Sequence, residues 1–142
     1  MKTLSVKQPW AWLLCSGIKP IENRTRRTNF RGRILIHASA TTELKNSLNV
    51  LSQDQWDLVK TFTFENVTLK HDVLSAIIGS VEIVDCVMNN PNFWAEKGVW
   101  NWVVRNPILF DTPILGVKGK LSLWEYKLPE EYKQEIARKL KS

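Results

Sequence analysis

The sequence is short of the residues that staple, kink or anchor a chain. Its two cysteines, Cys15 and Cys86, both lie in apolar segments and in no CxxC or Cys/His spacing. That excludes a disulfide framework and a zinc-finger pattern, and suggests small buried thiols in a reducing compartment. Six glycines and six prolines in 142 residues are too few for a collagen or low-complexity chain. No apolar run approaches the roughly 18 residues that span a bilayer. The N-terminal MKTLSVKQPWAWLL is too interrupted for a signal-peptide core. A cytoplasmic protein is expected. There are two histidines, His37 and His71, and no GxSxG, HExxH, P-loop or dinucleotide fingerprint. No metal and no cofactor are expected.

Acid is scarce where base is dense. Residues 1–33 hold eight Lys and Arg and one acid, Glu22, a net of +7, whereas the whole chain carries +6. The excess therefore sits in the first quarter. Such asymmetry points to an anionic partner, nucleic acid first, or to a basic solvated face. Tryptophan is the other surplus, with seven residues. Aromatics interleaved with basic residues stack on unpaired bases, although most tryptophans lie in cores. Five of the seven are expected in the core, and Trp10 with Trp100 or Trp102 beside a pocket.

With 44% apolar and 24% charged residues, the chain reads as one folded domain over 1–142. Leu4–Val6 reads as a strand. Gln8-Pro9-Trp10 opens a helix over about 9–16 that Gly17 ends. Residues 18–29 read as a short strand and a loop, and Gly32–His37 as a buried strand. Thr42-Glu-Leu and 52–60 read as helical, with Ser52 an N-cap. Ser75–Val87 is the clearest strand, and Gly79 within it signals a bulge or a close backbone approach. Phe93–Lys97 reads as one helical turn and Gly98–Arg105 as a strand. Asn106–Pro113 reads as a turn region, Gly119–Trp124 as a last strand, and about 129–141 as a surface helix whose charges suit its dipole. The strands do not alternate with long helices. The expected class is α+β: a small mixed or antiparallel β-barrel flanked by helices.

Three constellations carry chemistry. In Gly17-Ile-Lys19-Pro-Ile-Glu22-Asn-Arg24, an extended chain sets Lys19 opposite Glu22 and Arg24, whereas a bend at Pro20 brings the three together. Lys19 and Arg24 suit phosphate, and Glu22 suits the donor edge of a base. The alternative is a local surface ion pair. Trp100 and Trp102 fall on one face of their strand, Asn101 on the other. His37 and Ser39 close a buried strand, where a histidine is more often structural than functional.

Leu4-Ser-Val-Lys-Gln-Pro-Trp10, the GxKxxExR stretch at Gly17, Lys19, Glu22 and Arg24, and Gly32-Arg-Ile-Leu-Ile-His37-Ala-Ser39 together resemble the ASCH domain of the PUA-like superfamily. Ala76–Cys86 and Trp100–Trp124 resemble its central and closing segments, and the likeness covers about residues 3–126. It implies a β-barrel with flanking helices and a cleft beside the signature. Relatives are thought to bind RNA or modified nucleobases there. One bacterial branch removes the acyl group from N4-acylated cytidine with Lys, Thr and Glu. Its Lys corresponds to Lys19, but its Thr falls on Glu22, which lacks the hydroxyl that route needs. Its acid falls on Glu96 by order along the chain. Other members are proposed ribonucleases, with no residues to carry over.

Two functions follow as expectations. In the first, Lys19, Arg24, Arg26, Arg27 and Arg31 meet phosphate. Glu22 reads an unstacked base, Trp10, Trp100 or Trp102 stacks on it, and His37 and Ser39 lie nearby. The partner is RNA or a nucleotide. In the second, Lys19, Glu22 and Glu96 hydrolyse a modified nucleoside or RNA. A third use is protein contact through the C-terminal helix.

Overall fold

The computed structural model describes residues 1–42, 51–63 and 73–142. Their elements are β1 (Lys2–Gln8), α1 (Trp10–Cys15), β2 (Ile21–Arg24), β3 (Gly32–Thr42), α2 (Gln53–Thr63), β4 (Ala76–Val87), β5 (Trp100–Ile114), β6 (Leu123–Glu125) and α3 (Glu130–Leu140). The fold is α+β, with one six-stranded sheet in the order β2-β5-β4-β3-β1-β6. Among the described residues only β1 and β3 run parallel, and the other four pairings are antiparallel.

The sheet is not the closed barrel expected, because β2 and β6 end the pairing order and no ladder joins them. A side chain spans part of that gap. β6 pairs only with Lys2–Leu4 of β1. Beyond it, the Arg24 guanidinium of β2 donates to the Ser5 carbonyl of β1 at 2.8 Å. One arginine thus ties two strands that no ladder connects.

Ile34–Ile36 of β3 and Ala76–Ile78 of β4 are unbroken apolar runs because both their faces are covered. Ile34, Ile36, Ala76 and Ile78 pack into one core with α1, while Leu35 and Ile77 pack into a second with Ile108, Phe110, Trp124, Leu128 and Ile136 of α3. In α1, Trp12, Leu13 and Leu14 are at most 1% exposed. Burying each contributes about 2 kcal/mol. The Gln8 side chain accepts from the Trp12 amide at 3.0 Å and so starts the helix.

Several expectations move. β5 continues through Pro107 and Pro113, where a turn region was expected. β2 pairs with β5 only over 100–103, so the proline-bearing stretch has β4 on one side alone. There a missing N–H interrupts no ladder, and a register shift absorbs the extra residue near Asn106, which takes φ 51°. The stretch expected as a helical turn at 93–97 forms hydrogen-bonded turns instead, and β6 is shorter than 119–124. Thr42 ends β3; Glu43, Leu44 and His71 lie outside the described residues. Ser52 does cap α2. Its Oγ accepts from the Gln55 amide, and the Gln55 side chain accepts from the Ser52 amide, a reciprocal capping box.

Candidate nucleotide cleft

The site begins with the end of α1. Gly17 takes φ 84°, its N–H closes on Leu14 O, and the Lys19 N–H closes on Leu13 O. The chain turns there rather than running extended. The Lys19 side chain folds back, and its Nζ donates to Ile21 O. Of the two arrangements open to this stretch, the bend is the one formed. Lys19 Nζ lies 3.5 Å from Glu22 Oε1, while Arg24 Nε donates to Glu22 Oε2 at 2.9 Å. The two signature cations converge on the one signature carboxylate.

Two of these three groups are buried. Lys19 is 4% and Glu22 7% exposed. Burial pushes the Lys19 ammonium below its ordinary range, and the charge and hydrogen bond of Glu22 pull it partly back. An ion pair this dry is maintained only when each member has partners. Glu22 has one cation on each oxygen and further lone pairs free to accept from a ligand.

Around these groups lies a cleft of about 150 Å³ lined by Trp10, Lys19, Glu22, Gln55, Phe93 and Glu96, among others. That is below the roughly 300 Å³ of a drug-sized pocket and admits one flat ring. Lys19 Nζ sits 5.3 Å from the centre of the Trp10 ring. Phe93, half exposed, stands at the mouth.

Asn23 and Asn101, opposite each other on β2 and β5, hold the far wall. Asn23 Nδ2 donates to Trp94 O, and its Oδ1 accepts from the Glu96 amide and from Asn101 Nδ2. Asn101 also accepts from the Asn90 amide and donates to Glu96 O. These bonds bring Glu96 beside Lys19. Its place by chain order is thus also a place in the cleft.

Other expected residues lie elsewhere. The Trp102 indole donates to Arg26 O, and the Arg27 guanidinium lies 5.7 Å from the Trp100 ring. Both tryptophans brace the basic loop instead of lining the cleft. Arg31 donates to Thr28 O and Phe30 O and lies 3.8 Å from Asp85. Arg33 is held by Ser80 and Asn106. His37 is a core group. Its Nε2–H donates to Val117 O at 2.6 Å, and its Nδ1 accepts from the Ser5 hydroxyl, which accepts from the Trp124 indole. Ser39 is half-buried in β3, outside the cleft lining. Four tryptophans, not five, are buried: Trp12, Trp94, Trp102 and Trp124.

Gln55, Phe93, Asn23 and Asn101 were not singled out from the sequence. Only Asn101, a polar residue between two strand tryptophans, carries a local signal. Among the described residues no group of three or more His, Cys, Asp or Glu is placed to hold a metal, and no helix is long and apolar enough to cross a membrane.

The ASCH domain family model matches residues 4–136. Activating signal cointegrator 1 of Homo sapiens is 36% identical over 132 residues, which cover 86% of this chain and 22% of that protein. Activating signal cointegrator 1 of Mus musculus is 34% identical over the same shares. The chain thus spans about a fifth of the length of the curated relatives it matches. With Lys19 and Glu22 of its signature lining one cleft, Arg24 bound to Glu22, and the family model covering nearly all of it, the chain belongs to the ASCH domain family.

Proposed function

We propose that this chain binds single-stranded RNA, or a nucleotide with a modified base, by taking one base into the cleft lined by Lys19 and Glu22. One observation carries the reading: a buried carboxylate, held by two cations and keeping lone pairs free, in a cleft with aromatic residues at its mouth. Glu22 accepts from the amino edge of the base, Trp10 and Phe93 contact its face, and Arg24 with the loop arginines meets phosphate. Family membership supports nucleic-acid binding at this coarse level. Cys15 and Cys86 are free and buried, which supports the expectation of a reducing, cytoplasmic setting.

The test is fluorescence anisotropy with a short labelled single-stranded RNA. Binding near 10⁻⁶ M, about, that weakens steeply between roughly 50 and 200 mM salt is expected. Glu22→Gln should weaken it about tenfold and blur base preference, measured at a temperature where circular dichroism shows the variant folded. Absent or salt-independent binding overturns the reading.

One observation favours a second reading, hydrolysis of an acylated nucleoside. Lys19 has a lowered pKa and shares the lining with Glu96. Glu96 would take a proton from water, whose oxygen adds to the acyl carbon. Lys19 would stabilise the developing oxyanion, and the proton would pass to the departing amine. Turnover of N4-acetylcytidine that Lys19→Ala and Glu96→Gln both abolish would establish it.

A further inference from the structure

On the other side of Arg24 lies a second, larger groove of about 510 Å³, lined by Leu4, Arg24–Thr28, Trp102 and Leu121–Leu123. One wall is the β2–β3 loop and the other the turn that enters β6. The Arg24 side chain is the partition. Its Nε holds Glu22 of the cleft, and its guanidinium lies 6.0 Å from the Trp102 ring of the groove.

The groove has the makings of a built anion site. Three arginines line it and no carboxylate does. Arg24 is paired with Glu22, but Arg26 and Arg27 have no ion pair among the described residues. The Trp102 indole fixes the backbone between them through Arg26 O. Thr25 and Ser122 add hydroxyls, and Lys118 and Lys120 are exposed on the chain leading to the far wall. Beside the charge stands an apolar surface. Leu121 is 92% exposed, the most exposed large apolar residue described, at the tip of a turn where Ser122 takes φ 58°. An anionic link next to an apolar flat group is the chemistry of a nucleotide. An acidic peptide without apolar side chains would use the arginines and leave Leu121 idle.

We infer that this groove is a second nucleotide subsite, so that the ligand is a strand of at least two nucleotides and not a free nucleoside. The inference rests on the cleft reading. The base in the cleft is followed by a phosphodiester that crosses Arg24 onto Arg26 and Arg27, and the neighbouring base packs on Leu121 and Leu123.

Isothermal titration tests it with nucleosides, dinucleotides and short single-stranded RNA, and the readout is the affinity ratio between ligand lengths. In the wild type a dinucleotide should bind about tenfold tighter than its nucleoside, or more, the return from one charged phosphate contact. Arg26→Ala and Leu121→Asp, both at exposed positions, should each cut that ratio. Glu22→Gln should weaken nucleoside and dinucleotide alike and leave the ratio intact. A wild-type ratio near one overturns the subsite while the cleft reading stands. Binding of no ligand at all overturns both. Poly-glutamate that displaces RNA as well as RNA itself does shows the groove to be a general anion surface, and overturns the nucleotide assignment.

Discussion

Lys19 and Glu22 behave oppositely when removed, because of what each leaves behind. Lys19→Met leaves Glu22 with Arg24, so the fold should hold within about 1 kcal/mol while RNA binding falls. Glu22→Leu leaves the Lys19 ammonium buried near Arg24 with no carboxylate between them. It should destabilise by about 3 to 5 kcal/mol in urea unfolding. Equal, small effects of the two would contradict the buried pair. His37 gives the pH counterpart. Burial, the larger influence, pushes its pKa below 6.5 against the Val117 hydrogen bond. The unfolded chain therefore takes up a proton that the native state refuses, so this contribution is complete above 6.5 and declines as pH falls below it. The melting-temperature gap between wild type and His37→Asn should shrink as pH falls below 6.5. A constant gap would show that His37 does not titrate differently on unfolding.

Elements here are set by close approach as much as by propensity. A Cβ on Gly79 would lie 2.1 Å from Ile108 O of β5 and 2.8 Å from Cys15 Sγ of α1. Gly79→Ala should cost about 3 kcal/mol, by pushing β5 and α1 off β4. Substitution of Gly98, whose added Cβ meets nothing within 4 Å, perturbs only its own turn, φ 79°. Ser52→Ala removes one half of the α2 capping box and should cost about 1 kcal/mol in the thermal melt. Gln55, the other half, also lines the cleft, so the cap and the site share a side chain. The strand about Gly79, the Ser52 cap and the C-terminal helix were legible because each signal is local. The continuous β5 was not, because proline excludes a strand only where a partner needs its N–H, and which edge is unpartnered is a property of the whole sheet.

Across the whole molecule, the charge gathered in residues 1–33 divides by use. Arg31 and Arg33 brace loops and strands, Arg24 ties β2 to β1, and Arg26 and Arg27 are exposed toward the groove. The slope of log affinity against log salt for RNA should therefore fall by about one for each of Arg26→Ala and Arg27→Ala. Neutralising Arg31 should leave it nearly unchanged, and equal losses at all three positions would mean a diffuse basic face.

By itself the sequence determined the α+β class, most elements, the family and the eight-residue signature. These depend on periodicity, turn residues and short-range spacing, which the chain carries locally. Tertiary structure decided the rest. Whether Lys19 opposed or joined Glu22 turned on a bend stabilised by contacts to Leu13 and Ile21. Glu96 reached the cleft through Asn101, five residues away, and through Asn23, 73 residues away. His37 and Trp102 became scaffold because the surrounding chain satisfied their polar atoms. The sheet stayed open because β2 and β6 do not pair. Side-chain convergence depends on which distant strands become neighbours, and no local pattern encodes that.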